Sequence, residues 1–81
     1  MPYNQVIFSA HALRRMGERR ISQAQVTRAI NQPDTLSVSR GLFVAERRTS
    51  SGNTLRVVFH EQAGAQQVIN AVVITAIRIA P

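Results

Sequence analysis

The sequence predicts a small α+β domain in which two N-terminal helices pack on one face of an antiparallel sheet of three to five strands. Three observations support this fold class. The apolar period is helical before Pro33 and extended after it, three turn-forming segments divide the second half, and 81 residues allow only one domain. We therefore expect residues 1–81 to form a single domain with the order β-α-α-β-β-β(-β).

The first helix is predicted over residues 10–19. Ser9 immediately precedes this segment and is a typical N-cap residue. At 100° per residue, Ala12, Leu13 and Met16 fall on one face, which we expect to be buried.

The second helix is predicted to begin after Ser22 and to end before Pro33. Gln25 follows Ser22 at the spacing of a capping box, and proline cannot continue a helix. Its apolar stripe contains Val26, Ala29 and Ile30. The two helices would form a hairpin joined near Arg20 and Ile21.

Beyond Pro33 the pattern favours strands separated by short polar turns. The predicted strands are Val6–Phe8, Thr35–Ser39, Leu42–Thr49, Thr54–His60 and Val68–Ile79, and the predicted turns are at residues 40–41, 50–53 and 63–64. The last strand is apolar on both faces over much of its length, which indicates a central or covered position.

The charge of the chain favours a polyanionic partner. Ten basic residues oppose four acidic ones, giving a net charge of +6, and all ten are arginine. A guanidinium group presents a planar pair of donors that holds phosphate through two parallel hydrogen bonds, whereas an ammonium group acts as a point charge. RNA or DNA is therefore the expected partner first and an acidic protein second, although a GC-rich coding sequence would also replace lysine by arginine.

The composition argues against several classes of function. The chain has no cysteine, its four carboxylates are scattered, and the spacings of metal ligands, phosphate-binding loops and nucleophile elbows are missing. We expect no metal and no small-molecule cofactor. The N-terminus lacks a secretory signal and the apolar C-terminal segment is too short to span a bilayer, so we expect a cytoplasmic protein without a membrane partner.

Two histidines among many arginines are compatible with metal-independent RNA cleavage. That reaction needs a base, an acid and cations around the scissile phosphate. His11, Arg15 and Arg19 follow one another at helical spacing, and strand alternation places Arg56 and His60 on one face. Alternatively, His11 is a structural residue of the first helical turn and His60 is a solvated residue at a strand end.

Other polar residues also have two interpretations. Arg47 and Arg48 are either RNA contacts or the solvated end of a hairpin, and Thr75 is equally typical of a buried hydroxyl bonded to backbone. The few aromatic residues argue against a stacking single-strand binder. The second helix has one arginine, Arg28, and is a poor recognition helix.

The chain resembles the domain-of-unknown-function 4258 family over nearly its whole length. The resemblance rests on Ser9–Ala12, Arg15-Met16, Glu18-Arg19, Ile21-Ser22, Val26 and Ile30 before Pro33-Asp34, Leu55–Val58, and Val73–Thr75. That family is similar in element order to the RelE/ParE-like and MqsR-like bacterial toxins, many of which are small basic endoribonucleases silenced by an antitoxin. Two positions differ: Arg20 stands where members commonly have a glycine that ends the helix, and Ile77 where an aromatic residue often follows the threonine.

The resemblance implies a RelE/ParE-like fold and a toxin that cleaves mRNA without a metal, with RNA and a cognate antitoxin as partners. It implicates five catalytic residues: His11, Arg15, Arg19, Arg56 and Thr75. His11 would be the general base or acid, the arginines would hold the phosphate, and Thr75 would orient a neighbour. Four further arginines and a histidine would contact the RNA: Arg14, Arg47, Arg48, Arg78 and His60.

Two other functions agree with the same sequence. The first is a non-enzymatic toxin or interaction module that binds an acidic protein through its basic surface. The second is a DNA-binding accessory protein, which would bind duplex DNA with a steep salt dependence.

Overall fold

Both predicted helices form where their caps predict them. In the computed structural model, which describes residues 3–79, α1 spans Ala10–Arg19 and α2 spans Gln23–Asn31. The Ser9 hydroxyl accepts a hydrogen bond from the amide of Ala12 at 3.0 Å, and Ser22 forms a capping box with Gln25. Residues 1–2 and 80–81 of the predicted single domain lie outside the described range.

The five predicted strands form one sheet, which is mixed rather than purely antiparallel. The strands are β1 (Val6–Phe8), β2 (Thr35–Ser39), β3 (Leu42–Arg48), β4 (Thr54–Ala63) and β5 (Ile69–Ile79), in the spatial order β1-β5-β4-β3-β2. β1 pairs with β5 in parallel, and the other three pairs are antiparallel. The antiparallel prediction was wrong for β1 because a three-residue strand carries no sequence signal for its partner or direction.

The core lies between the two helices and one face of the sheet. α1 packs on β5, whereas α2 packs on β3 and β4. The buried side chains are those of Ala12, Met16, Ile21, Val26, Ala29, Ile30, Ala45, Leu55, Val57, Phe59, Ala71, Val73 and Ala76. Leu13, which the helical period placed in the core, is 42% exposed.

A β-bulge in β5 changes which side chains face the helices. Phe59 pairs with Val73 and Val58 pairs with Thr75, so Ile74 is an extra residue. Val73 and Ala76 are both buried although they are three residues apart, which regular alternation does not allow. The bulge thus places Thr75 and Ala76 where the end of α1 reaches them.

Aromatic rings close the core at the end of the sheet far from the β3–β4 turn. Phe59 stacks on Phe43 at 5.3 Å between ring centroids and meets Tyr3 edge-on at 5.6 Å. The phenol of Tyr3 donates a hydrogen bond to Glu61 at 2.8 Å. Partial burial, this hydrogen bond and the nearby negative charge raise the pKa of Tyr3 to about 12.

Candidate nucleic-acid interface

Six arginines lie at one end of the domain. β3 ends, β4 begins and β5 ends at this side of the sheet, where Arg47, Leu55 and Arg78 face one another across the three strands. The end of α1 and one side of α2 adjoin the same row. We call this region the arginine-rich end; its members are Arg19, Arg20, Arg28, Arg47, Arg48 and Arg78.

A groove of about 270 Å³ opens at the arginine-rich end, between α2 and the β3–β4 turn. Three of its residues supply guanidinium groups, three supply amide or hydroxyl groups, and buried Leu55 forms an apolar wall. The lining residues are Gln25, Arg28, Arg47, Arg48, Thr49, Ser50 and Leu55. No carboxylate is among these lining residues, so the groove presents hydrogen-bond donors and positive charge to an incoming anion.

Hydrogen bonds to neighbouring elements fix the strand side of the groove. Arg47 donates from Nη1 to the carbonyl of Gln32 at the end of α2, at 2.6 Å. The backbone amide of Arg48 donates to Asp34 Oδ2 at 2.7 Å, and the Arg48 side chain is exposed. The Thr49 amide bonds to the carbonyl of Asn53 at 2.8 Å and closes the turn. The backbone on the strand side of the groove is therefore held in place by hydrogen bonds to neighbouring elements.

Arg78 and Arg19 connect α1 to β5. Arg78 donates from its two terminal nitrogens to the carbonyls of Arg19 and Arg20, which are the last carbonyls of the helix. Arg19 in turn donates from Nη1 to the Thr75 hydroxyl at 3.2 Å and to the Ala76 carbonyl at 2.8 Å. Both guanidinium groups therefore take part in packing the helix on the sheet.

The exposed side of α1 carries three other predicted site residues. His11, Arg14 and Arg15 are all exposed, and Arg15 forms an ion pair with Glu18 at 3.2 Å. Arg19 does not share this side, because it lies on the buried stripe and contacts β5. Of the predicted trio, only His11 and Arg15 remain together on the outer side of the helix.

Arg56 and His60 lie on the sheet face that the helices do not cover. Leu55, Val57 and Phe59 alternate with them and are buried beneath the helices. Arg56 donates from Nε to Glu46 Oε2 at 2.6 Å, and His60 Nδ1 lies 3.3 Å from the carbonyl oxygen of its neighbour Glu61. Because the sheet separates the two histidines, the structure does not bring Arg56 or His60 to His11.

Comparison with known families identifies the chain. A family model for the domain of unknown function DUF4258 matches residues 8–78. The chain belongs to the DUF4258 family. Comparison with curated proteins and with solved structures finds no match. The matched segment of this DUF4258 domain runs from the end of β1 to Arg78, and it includes the arginine-rich end.

Sequence reasoning missed five of the seven groove residues in this DUF4258 domain, including both of those that α2 contributes. Gln25 and Arg28 lie three residues apart on the exposed side of α2 and line the groove together with Arg47 and Arg48. The i, i+3 spacing was visible in the sequence, but the approach of the β3–β4 turn to α2 is a tertiary contact. Within residues 3–79, no cluster of three or more metal-ligating side chains occurs, and no helix is long and apolar enough to cross a membrane.

Proposed function

We propose that this DUF4258 domain binds RNA at its arginine-rich end and cleaves it without a metal, as the toxin of a bacterial toxin–antitoxin pair. One observation carries the proposal: Arg28, Arg47 and Arg48 surround a single groove whose lining contains no carboxylate. The net charge of +6 adds long-range attraction for a polyanion.

The groove is suited to the RNA backbone rather than to stacked bases. Arg28 and Arg48 are exposed and can each offer a planar pair of donors to a phosphate, while Thr49 and Ser50 add hydroxyl groups. No aromatic side chain is among the lining residues, so base stacking contributes little. Binding of this kind depends on phosphates and therefore on salt, with weak sequence preference.

His11 is the residue we propose for proton transfer. In metal-independent cleavage the 2′-hydroxyl oxygen attacks phosphorus, the bond to the 5′-oxygen breaks, and a 2′,3′-cyclic phosphate and a 5′-hydroxyl form. One group accepts the 2′ proton and another donates a proton to the 5′-oxygen. His11 is exposed in the first turn of α1, four residues before Arg15 and about 12 Å along the helix from Arg19, so an RNA bound at the arginine-rich end must extend along α1 to reach it. It would perform one transfer while water performs the other, because His60 lies beyond the sheet.

The toxin assignment rests on the resemblance to RelE/ParE-like and MqsR-like toxins in element order. The element order of this chain, one strand, two helices and four strands, is the observation that supports the assignment through that resemblance. An antitoxin would then silence the domain by covering the arginine-rich end with acidic side chains. Such a partner would compete with RNA for Arg28 and Arg48.

Binding and cleavage are tested separately. A fluorescein-labelled 20-nucleotide RNA is titrated with the full chain at several salt concentrations, and replacing both Arg28 and Arg48 by glutamine should weaken binding and reduce the salt slope by about two. Arg40→Gln, at the β2–β3 turn, is the control of matched chemistry and should change the slope little. Equal slopes for the double variant and the wild type would exclude the groove as the RNA site.

Cleavage is followed on the same RNA in EDTA, by gel and by detection of the cyclic phosphate. His11→Ala should abolish cleavage while RNA binding persists. Undiminished cleavage by this variant would remove His11 from the mechanism, and RNA left intact by the wild-type chain would contradict the nuclease assignment itself.

A non-enzymatic toxin is the second candidate function. It is favoured by the separation of His11 from His60 and by the use of Arg19 and Arg78 in helix packing, since a preassembled acid–base pair is not among the described contacts. It predicts growth arrest on expression without loss of mRNA, unchanged by His11→Ala. Tighter binding of duplex DNA than of RNA of equal length would instead favour a DNA-binding accessory protein.

A further inference from the structure

The edge strand β2 is uncovered on the side where its apolar residues point. α2 packs on β3 and β4, and all five residues of β2 are exposed, with Leu36 at 52% and Val38 at 60%. Natural edge strands are usually protected by lysine, proline, a bulge or a covering element. The segment Thr35–Ser39 contains neither a charge nor a proline. It is therefore an exposed, uncharged edge of the kind that pairs with another strand.

The hydrogen-bonding groups that point away from β3 can be assigned. β2 and β3 are joined by the two-residue turn Arg40-Gly41, with φ of 54° and 80°, so the flanking pair Ser39–Leu42 is a hydrogen-bonded pair. Bonded and non-bonded pairs alternate in an antiparallel ladder, so Ser37 also bonds to β3. The amide and carbonyl groups of Leu36 and Val38 consequently face the open edge.

The sequence around this edge is complementary to itself in the antiparallel direction. About a centre at Ser37, Leu36 stands opposite Val38, Thr35 opposite Ser39, and Asp34 opposite Arg40. In this register the outward-facing groups of Leu36 meet those of Val38 in the other strand. The charged residues that flank β2, the exposed Asp34 and Arg40, then meet with opposite sign; Asp34 Oδ2 accepts from the Arg48 amide, so its other carboxylate oxygen is the one that would face Arg40.

We propose that a second copy of this chain pairs with β2 antiparallel about Ser37, forming a two-fold dimer with a sheet continuous through both copies. Leu36 of each copy exchanges backbone hydrogen bonds with Val38 of the other, and these apolar side chains cover one another on the helix side. Registers centred on Leu36 or Val38 would satisfy the backbone but would leave Asp34 opposite an apolar residue.

Charge distribution favours a second copy over a foreign acidic strand. The edge and its flanks have no net charge, so an acidic strand finds little there to attract it. Two chains of charge +6 repel each other. In each copy, however, the arginine-rich end adjoins the start of β2. Antiparallel pairing places the two starts at opposite ends of the shared ladder, so the two arginine-rich ends are kept apart.

The test measures the mass of the full chain by analytical ultracentrifugation over a wide concentration range at 0.3 M salt. Hydrogen exchange by NMR follows the Leu36 and Val38 amides, which should become protected only as dimer forms. The Ser37 amide, bonded to β3 in every copy, should be protected at all concentrations.

Charge variants test the register. Arg40→Asp places like charges opposite each other at both ends and should raise the dimer dissociation constant about tenfold or more. Adding Asp34→Arg to that variant restores opposite signs and should recover most of the affinity. Arg14→Asp, which changes the net charge equally on exposed α1, should have a much smaller effect.

Leu36→Lys with Val38→Lys should give a monomer that keeps its circular dichroism spectrum. A wild-type chain that is monomeric throughout the concentration range would overturn the proposal. A dimer that survives the lysine substitutions would show that the two copies meet at another interface. A monomer whose Leu36 and Val38 amides become protected only when polyglutamate is added would show that an acidic chain, and not a second copy, occupies the edge. Either result would also overturn the proposal.

Discussion

Arg19, at the end of α1, donates a hydrogen bond to the hydroxyl of Thr75 in β5 at 3.2 Å. The same nitrogen bonds to the carbonyl of Ala76 at 2.8 Å. Two residues that the family resemblance implicates in catalysis are thus joined across the helix–sheet interface. Their contact fixes the end of α1, where Arg78 binds the last helical carbonyls and the arginine-rich end begins.

Replacing Arg19 by methionine should destabilise the domain by about 2 kcal/mol, because two charge-assisted hydrogen bonds to partly buried oxygens are lost. Arg15→Met is the matched control. Arg15 is exposed and its ion pair with Glu18 is on the surface, so this change should alter the free energy of unfolding by less than about 0.5 kcal/mol. Urea unfolding measures both, and equal effects of the two variants would contradict a structural role for Arg19.

The face of Arg19 shows why sequence reasoning placed this residue wrongly. Arg19 follows Ala12 by seven residues, about 20° short of two full helical turns, so the period alone puts it on the buried stripe. The prediction instead grouped Arg19 by its four-residue spacing with Arg15 and so placed it on the polar, outer face of the helix. The bulge at Ile74 brings Thr75 and Ala76 within reach of its long side chain, and nothing local in the sequence predicts that bulge.

Local signals were sufficient for the helices and hairpins but not for the site. The caps at Ser9 and Ser22 and the turn at Arg40-Gly41 determine their elements from neighbouring residues, and these elements have the predicted positions. The pairing of β1 with β5 and the approach of Arg28 to Arg48 join distant segments. Periodicity assigns a face to each element, but it does not say which face meets which neighbour.

Arg20→Gly should stabilise the domain by about 0.5–1 kcal/mol. Arg20 ends α1 in the left-handed conformation, with φ of 56° and ψ of 44°, where a Cβ atom is unfavourable and glycine is preferred. The greater freedom of glycine in the unfolded chain offsets part of the gain. The carbonyl that accepts from Arg78 is retained.

Thermal unfolding provides the measurement for Arg20→Gly. A domain of this size should gain roughly 2–8 °C in Tm. A lower Tm would mean that the Arg20 side chain makes a stabilising contact that outweighs the backbone conformation.

Gly17→Ala should also stabilise the domain, by about 1 kcal/mol, because alanine is the better residue in a helix interior. A Cβ atom at Gly17 meets nothing within 4 Å, so no packing conflict opposes the gain. The contrasting position is Gly64, where a Cβ atom would lie 2.9 Å from Val68 Cγ2. Urea unfolding should therefore show opposite signs for Gly17→Ala and Gly64→Ala, and a destabilised Gly17→Ala variant would contradict the prediction.

Tyr3 should make the stability of the domain dependent on alkaline pH. Burial first, and then the hydrogen bond and charge of Glu61, raise the pKa of Tyr3 to about 12 in the folded chain. The unfolded value is about 10. A raised pKa in the folded state means that the contribution is fully present below pH 10 and is lost as pH rises through 12. The difference in free energy of unfolding between the wild type and Tyr3→Phe should accordingly become smaller between pH 10 and pH 12.

The titration itself can be observed directly, because Tyr3 is the only tyrosine and the chain has no tryptophan. Tyrosinate absorbance at 295 nm should rise with a midpoint well above pH 10 in the native protein and near pH 10 in 8 M urea. Glu61→Gln removes the negative charge while keeping an acceptor for the phenol, so the native midpoint should fall but stay above the unfolded one. Coincident native and unfolded titrations would show that the Tyr3–Glu61 contact does not hold the N-terminal segment against Phe59.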